Sequence, residues 1–445
     1  MVRPSYLLHQ LITRSFLRPL RHRDFALTEL VGWFSIAGVW FQRVGLGWLT
    51  WDLTHSGAWL GIISMAEAAP SILFAPLAGA YADRFDRLVM GRIIQLLIMT
   101  MTAILAVITI LGLVDIYTLF CVTLVIGVIS SFWAPVRHSI VANVVPREDL
   151  PQAVALHSML FNMARFVGPA MAGPIIAYWG VGWAFAATSA GYLGYLIVLF
   201  TIRLTNPDEK SSRDNSIVRD VRDGFAYAAT HPALKYLFLA VIVTAVFFRA
   251  YGELLAGIAE TVFNQGAEGF GYLVSVTGGG AILGALWIGM MSRPPDVLRG
   301  FFIALWVGIV FLTLFAATTT FWLALVYSVV LGFCSTAINI STQVLIQSTV
   351  KGVMRGRVMS FYSMVSRAGP AMGAVLVGWG SVYVGFEWPI IGTVVVTAIV
   401  GAYVFYRRRD IAAGLDRDVP KNAVAMPSAE ASSANAAAME KRPVE

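Results

Sequence analysis

Long apolar runs alternate along the chain with short polar joints, and the spacing inside the runs is helical rather than two-residue. Averaged over about 19 residues, hydropathy predicts helices near 25–50, 57–82, 88–113, 117–144, 149–178, 183–204, 233–263, 269–291, 300–318, 321–348, 353–379 and 388–406. Stretches such as Leu96 to Val114 carry no charge and do not alternate, which excludes a membrane β-barrel. Helices of about 20 residues span a bilayer, and twelve of them fit comfortably in 445 residues. The pattern predicts an all-α membrane protein with twelve transmembrane helices in two six-helix pseudo-repeats.

The joints are not equivalent. Those at 51–57, 114–117, 179–183, 263–269, 318–321 and 380–388 contain no Lys or Arg. The other joints hold Arg84 and Arg87, Arg147, the 203–222 cluster, Arg293 and Arg299, Lys351 and Arg355, with further Arg at both termini. The positive-inside rule therefore predicts both termini in the cytoplasm. Trp48, Trp51, Trp59, Trp179, Trp183, Trp322 and Trp388 gather at the Arg-poor end, where interfacial rings are expected.

Five segments follow. Residues 1–24 form a cytoplasmic N-terminal segment without a readable signal peptide, in which Leu7, Leu8, Leu11 and Phe16 can rest on the membrane surface. Residues 25–204 and 233–406 are the six-helix halves. Between them, 205–232 is a cytoplasmic linker, where Ile217, Val221, Phe225 and Ala228 recur near helical spacing and suggest a short amphipathic helix. Residues 407–445 read as a disordered tail.

Composition agrees: 58% of residues are hydrophobic and 13% charged, against about 25% charged in soluble domains. The net charge of +7 is accounted for by the joints rather than by a nucleic-acid-binding face. The two cysteines, Cys121 and Cys334, and the scarcity of intramembrane His give no disulfide framework, metal site or haem site, so no cofactor is expected. No Walker loop or nucleophile constellation appears, and Gly278-Gly279-Gly280 reads as helix packing. An enzyme is not indicated.

Seven ionisable residues fall well inside predicted helices: Glu29, Arg43, Glu67, Arg165, Arg249, Glu253 and Arg367. Each costs roughly 2.5 to 3.5 kcal/mol near mid-membrane, so they must face protein or water. Arg249 and Glu253, four apart, can pair on one helical face, as a structural pair or a functional one. Glu67 has no cation three or four residues away; it is either a proton carrier or permanently bridged by an Arg from another helix, such as Arg43 or Arg165. Glu29 lies nearer the Arg-rich end, within reach of water. Four Arg against three Glu favour an anionic or amphiphilic guest.

Gly168-Pro169-Ala170-Met171 recurs as Gly369-Pro370-Ala371-Met372 at the equivalent place in the second half, as parallel six-helix repeats require. Between the second and third helices stands Gly79-Ala80-Tyr81-Ala82-Asp83-Arg84-Phe85-Asp86-Arg87. This loop resembles the signature of the major facilitator superfamily, with Asp86 in place of the usual second glycine. Trp40-Phe41-Gln42-Arg43-Val44 with Gly47-Trp48-Leu49, Pro135-Val136-Arg137, and Val145-Pro146-Arg147-Glu148-Asp149-Leu150 resemble the branch that includes the enterobactin exporter and multidrug efflux proteins. The resemblance implies that Gly79, Asp83, Arg84 and Arg87 hold a cytoplasmic gate. It also implies that Gly168, Pro169 and Gly173 form an antiporter-like helix-5 motif. The expectation is a secondary transporter of a small molecule in a bacterial inner membrane, exporting an amphiphilic or anionic, siderophore-like or drug-like compound against a proton. Uptake, lysophospholipid flipping and a non-transporting receptor or scaffold are the alternatives.

Overall fold

A computed structural model describes residues 17–204, 225–291, 293–350 and 352–417. The first half contains α1 (Arg23–Thr54), α2 (Gly57–Arg84), α3 (Arg87–Ile110), α4 (Ile116–Asn143), α5 (Leu150–Trp179) and α6 (Val181–Thr201). The second contains α7 (Leu234–Val243), α8 (Leu255–Thr261), α9 (Ala267–Gly289), α10 (Pro294–Ala317), α11 (Phe321–Thr349), α12 (Gly352–Val384), α13 (Glu387–Tyr406) and α14 (Arg408–Arg417).

The joints are built by local chemistry. Asp86 caps α3 by accepting the Val89 N–H at 2.9 Å, and Asp115 caps α4 by accepting that of Thr118 at 2.7 Å. The aspartate that departs from the signature loop is thus a helix cap in extended conformation, a place that needs no glycine. A single residue, Gly180, joins α5 to α6 at φ +89°, a region open to glycine.

Among the described residues, ten segments are long and apolar enough to cross a membrane. Helices α1 and α12, of 32 and 33 residues, are longer than any of these but less uniformly apolar, because they carry Glu29, Arg43, Arg355, Arg357 and Arg367. The seventh predicted helix, 233–263, is not continuous. It runs as α7, a π-turn over Thr244–Phe248, a 3-10 turn over Ala250–Glu253, and α8. The widened turn lies against α12, where Gly373 comes so close that an added Cβ would sit 1.6 Å from the Val246 carbonyl oxygen. π-Turns of this kind are frequent at functional sites.

The halves meet along two seams of small residues, α2 against α12 and α5 against α9. A Cβ on Gly57 would lie 3.2 Å from Gly378, one on Gly61 2.6 Å from the Val375 backbone, and one on Gly173 3.1 Å from Gly271. Such approaches let backbones pack where lipid offers no hydrophobic drive. The repeat is structural as well: Gly168 packs on Trp40 of α1, the first helix of its half, while Gly369 packs on Ala245, in the first segment of the other. Gly278 and Gly280 likewise lie against the backbones of Arg165 and Val329.

One expectation changes at the polar ends, and one is seen in part. Residues 408–417, read as disordered tail, form α14, because Ile411 is fully buried and Gly414 packs on Ala233 at the start of α7. Of the linker, 225–230 is helical and Phe225 stacks edge-on with Phe361 at 5.4 Å. Ile217, Val221, the N-terminal apolar residues 7–16 and residues 418–445 lie outside the described residues.

Candidate functional site

Between the halves lies a cavity of about 170 Å³ lined by both of them. Helix α1 contributes Trp40 and Arg43, α2 Ser64 and Glu67, α5 Arg165, and the broken seventh segment Arg249, Tyr251 and Glu253. Five of the seven intramembrane charges therefore converge on one chamber. Arg43 Nη2 donates to Glu253 Oε1 at 2.5 Å, across the halves, and Ser64 Oγ donates to Glu253 Oε2 at 3.3 Å. The Arg43 side chain is 44% exposed and that of Glu253 17%, although both stand in the middle of the bundle. Exposure at such a depth, beside a cavity, means that the chamber leaves room for water beside the pair.

The predicted Arg249–Glu253 pairing does not form. An i, i+4 contact needs continuous α-helix, and here a 3-10 turn rotates Glu253 toward α1. Arg249 instead donates from Nη1 to the Ser366 carbonyl at 3.2 Å. Glu67 has no hydrogen-bond partner among the described residues and faces the charges of Arg43, Glu253 and Arg367. Arg165 and Arg43 both approach the Trp40 ring, at 5.7 and 5.9 Å from its centre, so one indole face region serves two cations. Arg165 has no carboxylate partner among the described residues. With Arg43, Arg165 and Arg249 against Glu67 and Glu253, the chamber carries one excess positive charge while both acids are ionised. Arg367 does not line the chamber, unlike Arg165 in the corresponding part of the first half.

Glu29 is elsewhere. It is fully buried, not water-accessible, and His157 Nδ1 lies 3.0 Å from each of its carboxylate oxygens. The helix-5 motif also lies beside the chamber rather than in it: Gly168 admits Trp40, and Gly173 admits Gly271 of the other half. In the signature loop, the side chains of Gly79, Asp83 and Arg84 lie outside the described residues, while Arg87 opens α3.

At the Arg-poor end the halves close. Trp51, predicted as an interfacial ring, is 3% exposed and donates from Nε1 to Glu260 Oε2 at 2.9 Å, joining α1 to α8. Phe386 stacks on it at 5.9 Å, and Gly257 lies against both rings. The sequence reading gave Trp51, Trp40, Ser64 and Glu260 no role at the site; it placed Trp51 in an interfacial belt, which pointed outward, and quoted Trp40 only within a family motif.

The family profile of transmembrane secretion effectors matches residues 14–433. The chain belongs to this family of major facilitator transporters. It is 27% identical to the staphyloferrin A transporter of Staphylococcus aureus, over 74% of this chain and 82% of that protein. It is 23% identical to the multidrug efflux pump Tap of Mycolicibacterium fortuitum, over 77% and 85% respectively. Among solved structures it resembles the nucleoside transporter NupG with a TM-score of 0.68, covering 86% of this chain and 98% of that one at 14% identity. The protein is thus an integral membrane transporter of the major facilitator fold, not an enzyme.

Proposed function

We propose that this transporter exports a small anionic or amphiphilic compound, of siderophore-like or drug-like kind, in exchange for a proton, with both termini in the cytoplasm of a bacterial inner membrane. The observation that carries the reading is the wet, charged chamber shared by the two halves. Arg165 and the Trp40 face offer an anion and an aromatic or apolar body their respective partners. Glu67 and Glu253 compete for Arg43. Exchange requires that proton and guest exclude one another, so Glu67 takes its proton as the guest leaves the shared chamber and gives it up as the next guest enters. One state thus prefers guest and the other does not, which is what coupled alternating access requires. A proton moving down 100 mV supplies about 2.3 kcal/mol. The staphyloferrin A transporter agrees with the guest class, and the multidrug efflux pump agrees with export.

Asp83, Arg84 and Arg87, with Gly79 for the turn, serve in this reading as the latch of the Arg-rich end, so Asp83→Asn abolishes transport while membrane insertion survives. The decisive test uses proteoliposomes with an imposed pH gradient and labelled catecholate, hydroxycarboxylate and cationic dye. Wild-type protein moves an anionic or amphiphilic probe against its gradient. Glu67→Gln retains probe exchange at equilibrium and loses proton-driven accumulation; undiminished accumulation in that variant ends the role of Glu67.

A further inference from the structure

A second concave site lies outside the bundle interior, at the Arg-rich end between α10, α13 and α14. It measures about 760 Å³. Its walls are apolar: Phe302, Ile303, Trp306 and Val307 from α10, and Phe405 from the end of α13. Its mouth is ringed by Arg299, Arg408 and Arg409. The groove exists because the chain reverses after Tyr406 and α14 folds back beneath the bundle, held by buried Ile411 and by Gly414 on Ala233.

The cations of the mouth are not neutralised locally. Arg408 lies flat on the Phe405 ring at 4.1 Å and donates from Nη1 to the Phe405 carbonyl at 3.1 Å, which positions it without cancelling its charge. Arg409 has no hydrogen-bond or ion-pair partner among the described residues. Arg299 is 3.9 Å from Asp296, a distant and exposed contact. The other acid nearby, Asp410, is engaged by Arg407 at 3.4 Å. Three guanidinium groups therefore face one loosely held carboxylate, beside an apolar trough lined by α10 and the end of α13.

We propose that this groove binds one anionic phospholipid, its phosphate on Arg299, Arg408 and Arg409 and an acyl chain along Trp306 and Phe302. The chemistry selects this occupant. A water-soluble anion would leave the trough unfilled, and a zwitterionic lipid would place its ammonium group among the cations. Basic pockets between membrane helices at a positively charged end are suited to anionic headgroups, because charge and burial act on the same molecule.

The test is native mass spectrometry of the full-length protein in detergent, with phosphatidylglycerol, phosphatidylethanolamine or inorganic phosphate as probe. One phosphatidylglycerol is expected to be retained per chain, phosphatidylethanolamine much less, and inorganic phosphate in excess should not displace the lipid. The triple variant Arg299→Gln, Arg408→Gln, Arg409→Gln should lose about tenfold or more of this retention, since each surface cation contributes to the attraction. The corresponding triple Lys variant should keep most of it. Val307→Trp, which fills the trough and leaves every charge in place, should also lower retention, and it decides the matter if the Gln variant does not fold. Equal retention of the two lipids, full displacement by inorganic phosphate, or unchanged binding in both the Gln and Trp variants overturns the proposal.

Discussion

The hydrogen bond from Trp51 to Glu260 is one of the contacts that close the Arg-poor end, and Trp51→Phe removes its donor while keeping an aromatic ring against Phe386. A hydrogen bond to a charged acceptor contributes about 1.5 to 3 kcal/mol. Trp51 is buried but Glu260 is partly exposed, so screening places this bond at the lower end of that range. If the bond breaks when the halves rock, its loss shifts the balance toward the opposite opening by about tenfold, since each 1.4 kcal/mol is a factor of ten. The assay follows a cysteine in the chamber wall, Thr277→Cys, in a background where Cys121 and Cys334 are replaced by Ala. Oriented proteoliposomes are treated from the Arg-poor side with a membrane-impermeant maleimide. Labelling should accelerate about tenfold in Trp51→Phe. Glu260→Gln should accelerate it less, because the amide oxygen still accepts and a neutral bond of about 0.5 to 1.5 kcal/mol remains. Unchanged labelling in Trp51→Phe would refute the reasoning and leave the closure to the glycine seams alone.

Three further outcomes are expected. His157→Leu strands the buried Glu29 carboxylate and should lower stability by about 3 to 5 kcal/mol, read by thermal unfolding in detergent; Glu29→Leu added to it should restore part of the loss. Gly373→Ala forces α12 off the π-turn and should cost about 1 to 3 kcal/mol, whereas Gly356→Ala, with open space around its Cβ position in a helix, should not lower the melting temperature and should raise it slightly. At the exposed cap of α4, hydrogen bonds from the Thr118 hydroxyl and N–H hold Asp115 below the usual carboxylate range. A lowered folded value means the stabilisation is present above the unfolded value of 3.8 and is lost as pH falls through the folded one. Wild-type protein should therefore lose more stability than Asp115→Asn on acidification through that range, as measured by urea titration of the two side by side.

Much of this molecule was legible from its order of residues. A bilayer demands apolar runs of fixed length, and charge at their ends sets orientation; both are local properties, so the helices of each half and the unequal joints could be read directly. The caps formed by Asp86 and Asp115 are local too, since a cap bonds within its own first turn, but they were recognised only in the structure. The signature loop and the repeated Gly-Pro-Ala-Met segment likewise announced the family and its two halves before any packing was known.

What tertiary structure alone decided is partnership. Arg43 and Glu253 are separated by 210 positions, Trp51 and Glu260 by 209, and Glu29 and His157 by 128, distances along the chain at which no periodicity carries information. The local reading paired Arg249 with Glu253 because it assumed an unbroken helix, and α12 packing against a π-turn removed that premise. It gave Glu29 to water and Trp51 to the interface because depth along a helix says nothing about which side of the helix faces protein. A chain of helices specifies its elements by local transfer energies, whereas the choice of neighbour for each buried charge is settled when the halves close around a shared wet chamber.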